Sequence, residues 1–205
     1  MKVIFYFDDT IFDTKKFKEE ALFNAFIQYG FTNEFVKNKY QEHRKENGVF
    51  ELIDFINFVF DKSDKVFNSE NIQYEIVKKI NTYIKEEYRN LVTRLGRENV
   101  FIVSQGDEQF QRLKIKNADM EILAEEIIIV NGKKEEEIRN LCLRWDGEQV
   151  LFLDDKFTNL ILENIPSNLQ QYFVGDENSL NKEQKSVLKK LNIKVLKDLS
   201  DIREF

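Results

Sequence analysis

The sequence predicts an α/β fold in which a mostly parallel β-sheet is flanked by helices and an all-helical segment is inserted after the first strand. Two observations support this fold class. After residue 96, short apolar runs of strand length alternate with segments of helical periodicity, which is the pattern of right-handed βαβ units. Residues 14–85, by contrast, carry apolar residues mainly at helical spacing.

The first predicted strand is the apolar run that starts at Val3. Consecutive strand-forming residues are typical of a strand buried on both faces of a parallel sheet. Asp8, Asp9 and Thr10 follow this strand, at the edge where open α/β sheets bind ligands. A polar turn without a function has the same composition. The residues that follow the later strands are therefore needed to distinguish a turn from a ligand-binding site.

The helical segment is predicted to contain four helices, the last with a possible break. They cover about residues 14–29, 33–46, 50–60 and 69–95. Gly30 and Gly48 end the first two. Residues 50–60 favour a helix over a strand because the run is long and does not alternate strictly.

The remaining chain is predicted to supply the rest of the sheet. Strands are expected at residues 100–103, 127–130, 150–153, 171–174 and 193–196, with helices reaching about residues 116, 145 and 164 and a polar helix from about residue 181. We therefore expect a core domain of residues 1–13 and 86–205 and a helical domain of residues 14–85. The helical domain is expected to move as a lid on hinges near residue 14 and within residues 85–95.

Polar groups follow four of the predicted strands and should converge at one edge of the sheet. They are Asp8-Asp9-Thr10, Ser104, Lys133 or Lys134, and Asp154-Asp155. Carboxylates from two strand ends can hold Mg²⁺, which prefers oxygen ligands. A hydroxyl and backbone amides at a helix start suit a phosphate oxygen, and a lysine neutralises further phosphate charge.

These motifs resemble those of the haloacid dehalogenase superfamily of phosphohydrolases, and the resemblance covers essentially the whole chain. The stretch from Asp8 to Thr14 is similar to the second half of the family's first motif, Asp-x-Asp-x-Thr. Ser104 corresponds to the second motif, Lys133 or the alternative Lys134 to the third, and Asp154-Asp155 to the fourth. The resemblance implies a Rossmann-like core and a helical cap.

The resemblance also implies roles for these residues. Asp8, Thr10, Ser104 and Lys133 would take part in catalysis, Ser104, Gln105, Gly106 and Lys133 would bind substrate, and Asp8, Asp154 and Asp155 would hold Mg²⁺. The substrate would be a small phosphorylated metabolite. Asp154, the first carboxylate after its strand, is expected to be the stronger metal ligand of the pair.

The sequence departs from the family at the nucleophile. The family's nucleophilic aspartate lies two residues before the second aspartate, and that position is Tyr6 here. A tyrosine phenol has a pKa near 10 and is a poor anionic ligand at pH 7. We therefore predict that aspartyl-phosphate chemistry is absent or strongly impaired and that Mg²⁺ binding is weak. Two alternatives are an altered hydrolytic route with Asp8 as base and a non-catalytic module that binds a ligand or a protein partner.

Composition narrows the partners further. The 205 residues carry a formal net charge of −6 and show no basic stripe, which argues against a nucleic-acid binder. The lone Cys142 fits a reducing, cytoplasmic location, and neither a membrane span nor a signal peptide is evident. The only histidine, His43, is expected to be a solvated helix residue, so a Ser-His-Asp triad is nearly excluded.

Overall fold

The computed structural model describes residues 1–61 and 63–202, which form a six-stranded parallel sheet with helices on both faces. The strands are β1 (Lys2–Tyr6), β2 (Val100–Gln105), β3 (Glu126–Val130), β4 (Val150–Asp154), β5 (Leu169–Val174) and β6 (Lys194–Leu196). Their order in the sheet is β3-β2-β1-β4-β5-β6. The predicted fold class is confirmed.

The α-helices lie between the strands and in the segment inserted after β1. They are α1 (Thr14–Phe17), α2 (Asn33–Asn47), α3 (Leu52–Phe60), α4 (Ser69–Val77), α5 (Glu86–Leu95), α6 (Glu108–Asn117), α7 (Lys134–Arg144) and α8 (Lys182–Lys190). Within the described residues, no helix combines the length and apolarity needed to span a bilayer.

Strand β1 lies at the centre of the sheet, between β2 and β4. Tyr6 is in register with Val103 of β2, and Phe5 with Leu153 of β4. The carboxyl ends of these three strands are therefore neighbours. The sheet order also reverses direction between β1 and β4, which is the switch point where α/β sheets bind ligands.

The chain enters and leaves the helical segment at one place. The Asp13 N–H donates to the Tyr83 carbonyl at 2.8 Å, and the Lys85 N–H donates to the Ile11 carbonyl at 2.9 Å. The two chain crossings are thus hydrogen-bonded to each other, directly beside the end of β1.

Aromatic side chains join the helical segment to one face of the sheet. The ring of Phe17 lies 5.2 Å from Phe12 and 6.3 Å from Phe110 of α6, and Phe50 lies 5.3 Å from Phe110. These residues belong to one continuous buried cluster that also contains Phe5 of β1. The aromatic packing between the helical segment and the sheet is therefore extensive.

Two predicted helices take a different form. Residues 14–29 do not make one α-helix, because α1 passes into a π-helical turn at Lys18–Leu22 and a 3₁₀-helix at Asn24–Tyr29. The helix predicted after β4 is wrong: a 3₁₀ turn at Phe157–Asn159 is followed by irregular chain. There the Gln171 side chain accepts from the Ile161 N–H at 2.7 Å and donates to its carbonyl at 2.8 Å. A side chain thus satisfies backbone groups that a helix would otherwise pair.

The expectation for His43 is also wrong, since this residue is buried rather than solvated. Its ring lies 5.6–5.9 Å from the rings of Phe50, Phe55 and Phe58. His43 follows Val36 at a spacing of seven residues, which places both on the inner face of α2. The charged neighbours of His43 in sequence therefore concealed its position.

Candidate functional site

Tyr6 ends β1 and occupies the centre of the candidate site. Its side chain is buried, and the Lys134 ammonium nitrogen lies 3.2 Å from its ring centroid, a cation–π contact. Burial, reinforced by the carboxylates of Asp8, Asp154 and Asp155, raises the pKa of the Tyr6 phenol well above its usual value. The phenol is therefore neutral at physiological pH.

Asp8 is held in place by three side chains. Its carboxylate forms a buried ion pair with Lys114 of α6 and accepts hydrogen bonds from Gln111 at 3.0 Å and Thr14 at 3.2 Å. Burial favours the neutral acid, but the Lys114 charge and these hydrogen bonds outweigh it and lower the pKa of Asp8. Asp8 is thus an ionised carboxylate that already has its partners.

The loops after β1 and β4 are joined through Thr10. The Asp155 N–H donates to the Thr10 hydroxyl at 3.1 Å, and Thr10 is completely buried. Burial, with a smaller contribution from the Asp154 carboxylate, raises the pKa of Asp155 to about 7. Asp155 is therefore only partly ionised at neutral pH.

Asp154 is buried, and both of its carboxylate oxygens are occupied. One oxygen pairs with the Lys134 ammonium at 2.8 Å. The other accepts from the Lys156 N–H at 2.8 Å and from the Asn159 amide at 2.9 Å. The carboxylate thus fixes both the lysine and the loop that follows β4.

The lysine that reaches the site is Lys134, not Lys133. Lys133 is exposed where α7 begins, whereas the buried Lys134 contacts both Asp154 and Tyr6. Lys133 is the N-cap residue with extended backbone, whereas Lys134 is the first residue of α7, and only the Lys134 side chain is buried. Of the two lysines that the sequence offered, Lys134 and not the expected Lys133 therefore lies at the edge of the sheet.

The end of β2 brings Ser104, Gln105 and Gly106 to the same edge. Ser104 is buried, and its hydroxyl has no hydrogen-bond partner among the described residues. Gln105 is exposed and donates to the Gly132 carbonyl at 2.9 Å. Gly106 has φ 146°, and a side chain there would meet the Gln111 amide. Gln105 and Gly106 both line the cavity described next.

A cavity of about 170 Å³ lies between this edge of the sheet and the helical segment. Tyr6, Asp8 and Lys114 line its inner side, and Lys18, Arg44 and Lys156 also line it. Aromatic and apolar residues complete the lining: Phe17, Leu22, Tyr40, Phe50 and Phe110. The arrangement can enclose a small molecule that has both an apolar and an anionic part.

The donor set fits a divalent cation poorly. Tyr6 offers no carboxylate, Asp8 is neutralised by Lys114, and Asp154 by Lys134. Across residues 1–61 and 63–202, no three or more acidic, histidine or cysteine side chains form a group that could hold a metal ion. The predicted set of Asp8, Asp154 and Asp155 is thus not assembled as one.

Sequence reasoning missed Lys114 and Gln111, the two residues of α6 that hold Asp8. They lie more than 100 residues from Asp8, and they are inside a helix rather than directly after a strand. The available signal was their place on a helix face, because both share the buried face of α6 with Phe110 and Ile115. A lysine at the buried position of an amphipathic helix requires a partner.

Comparison with known proteins finds similarity at the level of structure. No protein-family model matches the chain, and no curated protein matches it in sequence. A haloacid dehalogenase-like hydrolase from Burkholderia xenovorans LB400 is similar over 100% of this chain and 98% of its own, with a TM-score of 0.72 and 15% identity.

Two further structures extend this similarity to proteins with different activities. A β-phosphoglucomutase from Thermotoga maritima gives a TM-score of 0.59 at 18% identity, over 98% of this chain and 96% of its own. L-2-haloacid dehalogenase from Xanthobacter autotrophicus, with chloropropionic acid covalently bound, gives 0.57 at 14% identity, over 98% and 95%. Since one fold supports both names, the fold alone does not specify a reaction. The chain has the fold of the haloacid dehalogenase-like hydrolases.

Proposed function

We propose that this protein binds a small phosphorylated molecule in the cavity and does not hydrolyse it through an aspartyl-phosphate. The observation that carries the proposal is the position of Tyr6. Its ring stands at the end of β1, where the haloacid dehalogenase-like mechanism requires a carboxylate, and it lies against Lys134. A neutral phenol is neither the nucleophile nor the metal ligand that this mechanism uses.

The state of Asp8 supports the same proposal. A general acid must carry a proton and reach the leaving group, whereas Asp8 is ionised and paired with Lys114. The alternative of hydrolysis with Asp8 as base has one supporting feature, because Asp8 lines the cavity. That route would require Asp8 to release Lys114 while it activates water.

A turnover assay separates these functions. We expect purified protein with Mg²⁺ to release no p-nitrophenol from p-nitrophenyl phosphate above background, and Tyr6→Phe to behave identically. Mg²⁺-dependent turnover by the unchanged protein that disappears in Asp8→Asn would instead establish the altered hydrolytic route.

We also propose that Mg²⁺ binds only weakly. A ligand at one hundred times its Kd raises the free energy of unfolding by about 2.7 kcal/mol, so a tight site would give a large change in Tm. We expect millimolar Mg²⁺ to raise Tm only slightly and expect Asp154→Asn to abolish that rise, whereas the exposed control Asp146→Asn keeps it. A rise that persists in Asp154→Asn would exclude Asp154 as a ligand.

A further inference from the structure

The cations around the cavity fall into two groups. Lys114, which lines the cavity, and Lys134, which lies against the Tyr6 ring, are buried, and each is neutralised by a carboxylate, Asp8 and Asp154 respectively. Three other cations line the same cavity without forming an ion pair with any described residue: Lys18, Arg44 and Lys156. We call these three the outer cations. The charge available to a ligand is therefore in the outer cations and not beside Ser104 and Lys134, where the resemblance implies the phosphate.

The outer cations come from three separate elements. Lys18 begins the π-helical turn, Arg44 lies on α2, and Lys156 follows β4. The first two belong to the helical segment and the third to the sheet edge. π-Helical turns are often found at functional sites. A ligand held by all three residues would bridge the helical segment and the sheet.

Aromatic rings accompany two of the outer cations. The Lys18 ammonium lies 5.3 Å from the centroid of Tyr40, and the Lys156 ammonium lies 5.8 Å from that of Tyr6. These contacts keep both ammonium groups beside the cavity, and neither ammonium forms a salt bridge with a residue that the structure describes. Tyr6 therefore fills the space beside Lys134 and also forms part of the wall next to an available cation.

The local charge balance is positive although the protein carries a net charge of −6. Apart from Asp8, the carboxylates that line the cavity are Asp9 and Asp107. Asp107 is engaged at the start of α6, where its side chain accepts from the Phe110 N–H at 2.7 Å. Three outer cations against these two carboxylates favour an anion, and a concave site focuses that field.

The size and lining limit the rest of the ligand. The cavity of about 170 Å³ is smaller than the ~300–1,000 Å³ of typical sites for drug-sized ligands. Phe17, Phe50 and Phe110 supply an apolar wall. The matching ligand has a small apolar or aromatic body attached to its anionic group.

We infer that the cavity binds the phosphate monoester of a small apolar alcohol or phenol, with the phosphate among Lys18, Arg44 and Lys156 and without a divalent cation. This inference rests on the proposed binding function and deepens it by assigning the ligand class and its charge partners. The phosphate lies on the cavity side of Tyr6, displaced from the position beside Ser104 and Lys134.

Calorimetric titration with phenyl phosphate in the presence of EDTA tests the inference. A hydrogen bond to a charged group contributes roughly 1.5–3 kcal/mol, which corresponds to about a 10- to 100-fold change in Kd. We expect Lys18→Gln, Arg44→Gln and Lys156→Gln each to weaken binding toward the lower end of this range, because these residues are partly exposed. The matched variants Lys16→Gln and Lys45→Gln remove the same charge outside the cavity and should leave Kd within about twofold.

The outcomes separate the inference from the proposed function. Absence of heat with phenyl phosphate and with inorganic phosphate at millimolar concentration would overturn the inference, as would equal losses in the matched variants. Loss of binding in Ser104→Ala without loss in Arg44→Gln would place the phosphate beside Ser104 and Lys134. That result would also overturn the inference, but the proposed binding function would stand. Release of phenol by the unchanged protein would overturn the proposed function instead, and the same variants would then be compared through KM.

Discussion

Two residues at the end of β1, Tyr6 and Asp8, determine what the site can do, and a third, Lys114, fixes one of them. Tyr6 places a neutral ring at the end of β1, and Lys114 holds Asp8 as an ionised partner. The tyrosine at the end of β1 is visible in the sequence, but the contact of Asp8 with Lys114 is not. Under the proposed function, a change at Tyr6 would supply the missing carboxylate, and a second change at Lys114 would add to its effect by freeing Asp8.

Tyr6→Asp tests this reasoning. It supplies a carboxylate and removes the ring from Lys134, and loss of a nucleophile in a preorganised site costs on the order of 10⁶-fold in rate. We expect Tyr6→Asp to show phosphate release in the presence of Mg²⁺, and Tyr6→Asp/Lys114→Gln to exceed it because Asp8 is freed. Tyr6→Asp/Asp8→Asn should return to background. If the Tyr6→Asp/Lys114→Gln variant folds but hydrolyses none of a panel of phosphomonoesters, the site is specialised for binding.

His43 gives a prediction about pH. Burial lowers its pKa, opposed in part by Asp54 and Glu46 and reinforced by Arg44. Between the lowered folded pKa and the unfolded value near 6.5, the unfolded chain binds more protons, so stability falls as pH decreases through this window. We expect Tm to fall more between pH 7 and pH 5 in the unchanged protein than in His43→Leu. Parallel Tm profiles would show that His43 does not titrate differently on unfolding.

At the scale of elements, the strands were predictable and the connections were less so. Strands such as β2 and β4 are short apolar runs bounded by polar residues, and burial on both faces leaves the sequence little freedom. The link from β4 to β5 has apolar residues at helix-like spacing, yet Gln171 from the next strand satisfies its backbone instead. A local pattern does not reveal a hydrogen-bond partner that comes from a later element.

Gln171→Leu measures the contribution of that side chain. The change removes both partners of Ile161, and a buried unsatisfied backbone group costs about 1–3 kcal/mol. Since two backbone groups lose their partners, we expect a loss of at least this size in the free energy of unfolding from urea titration, with little change for the exposed control Gln149→Leu. Equal stability of the two variants would mean that another group, or water, replaces the amide.

At the scale of the whole molecule, the candidate site could be predicted only as far as sheet topology determines it. Asp8, Ser104 and Asp154 were predicted to lie together because the ends of parallel strands meet at one edge, whereas Tyr6 was singled out by the resemblance to the family's first motif. The outer cations Lys18 and Arg44 lie on the helical segment, and no periodicity specifies how that segment packs over the sheet. The domain boundary near residues 13 and 85, and the lid movement expected from it, remain predictions.

Hydrogen exchange tests the lid. The Asp13 and Lys85 amides pair across the two crossings, so a segment that opens must break these bonds or rotate about them. We expect both amides to exchange faster than those of β4, and phenyl phosphate to slow them selectively. Protection equal to that of the central strands, with and without phenyl phosphate, would indicate an immobile segment fixed by its aromatic contacts.

The pairing of the two crossings has a consequence for the architecture. Because Ile11–Asp13 and Tyr83–Lys85 are neighbours, the helical segment begins and ends at the same place, as a long loop does. A short linker could replace it without altering the order of the strands. The truncated protein would present the rings of Phe12 and Phe110 to water, since both are buried in the shared cluster. Exposed apolar patches promote association, so we expect the truncated protein to aggregate more readily than the full chain.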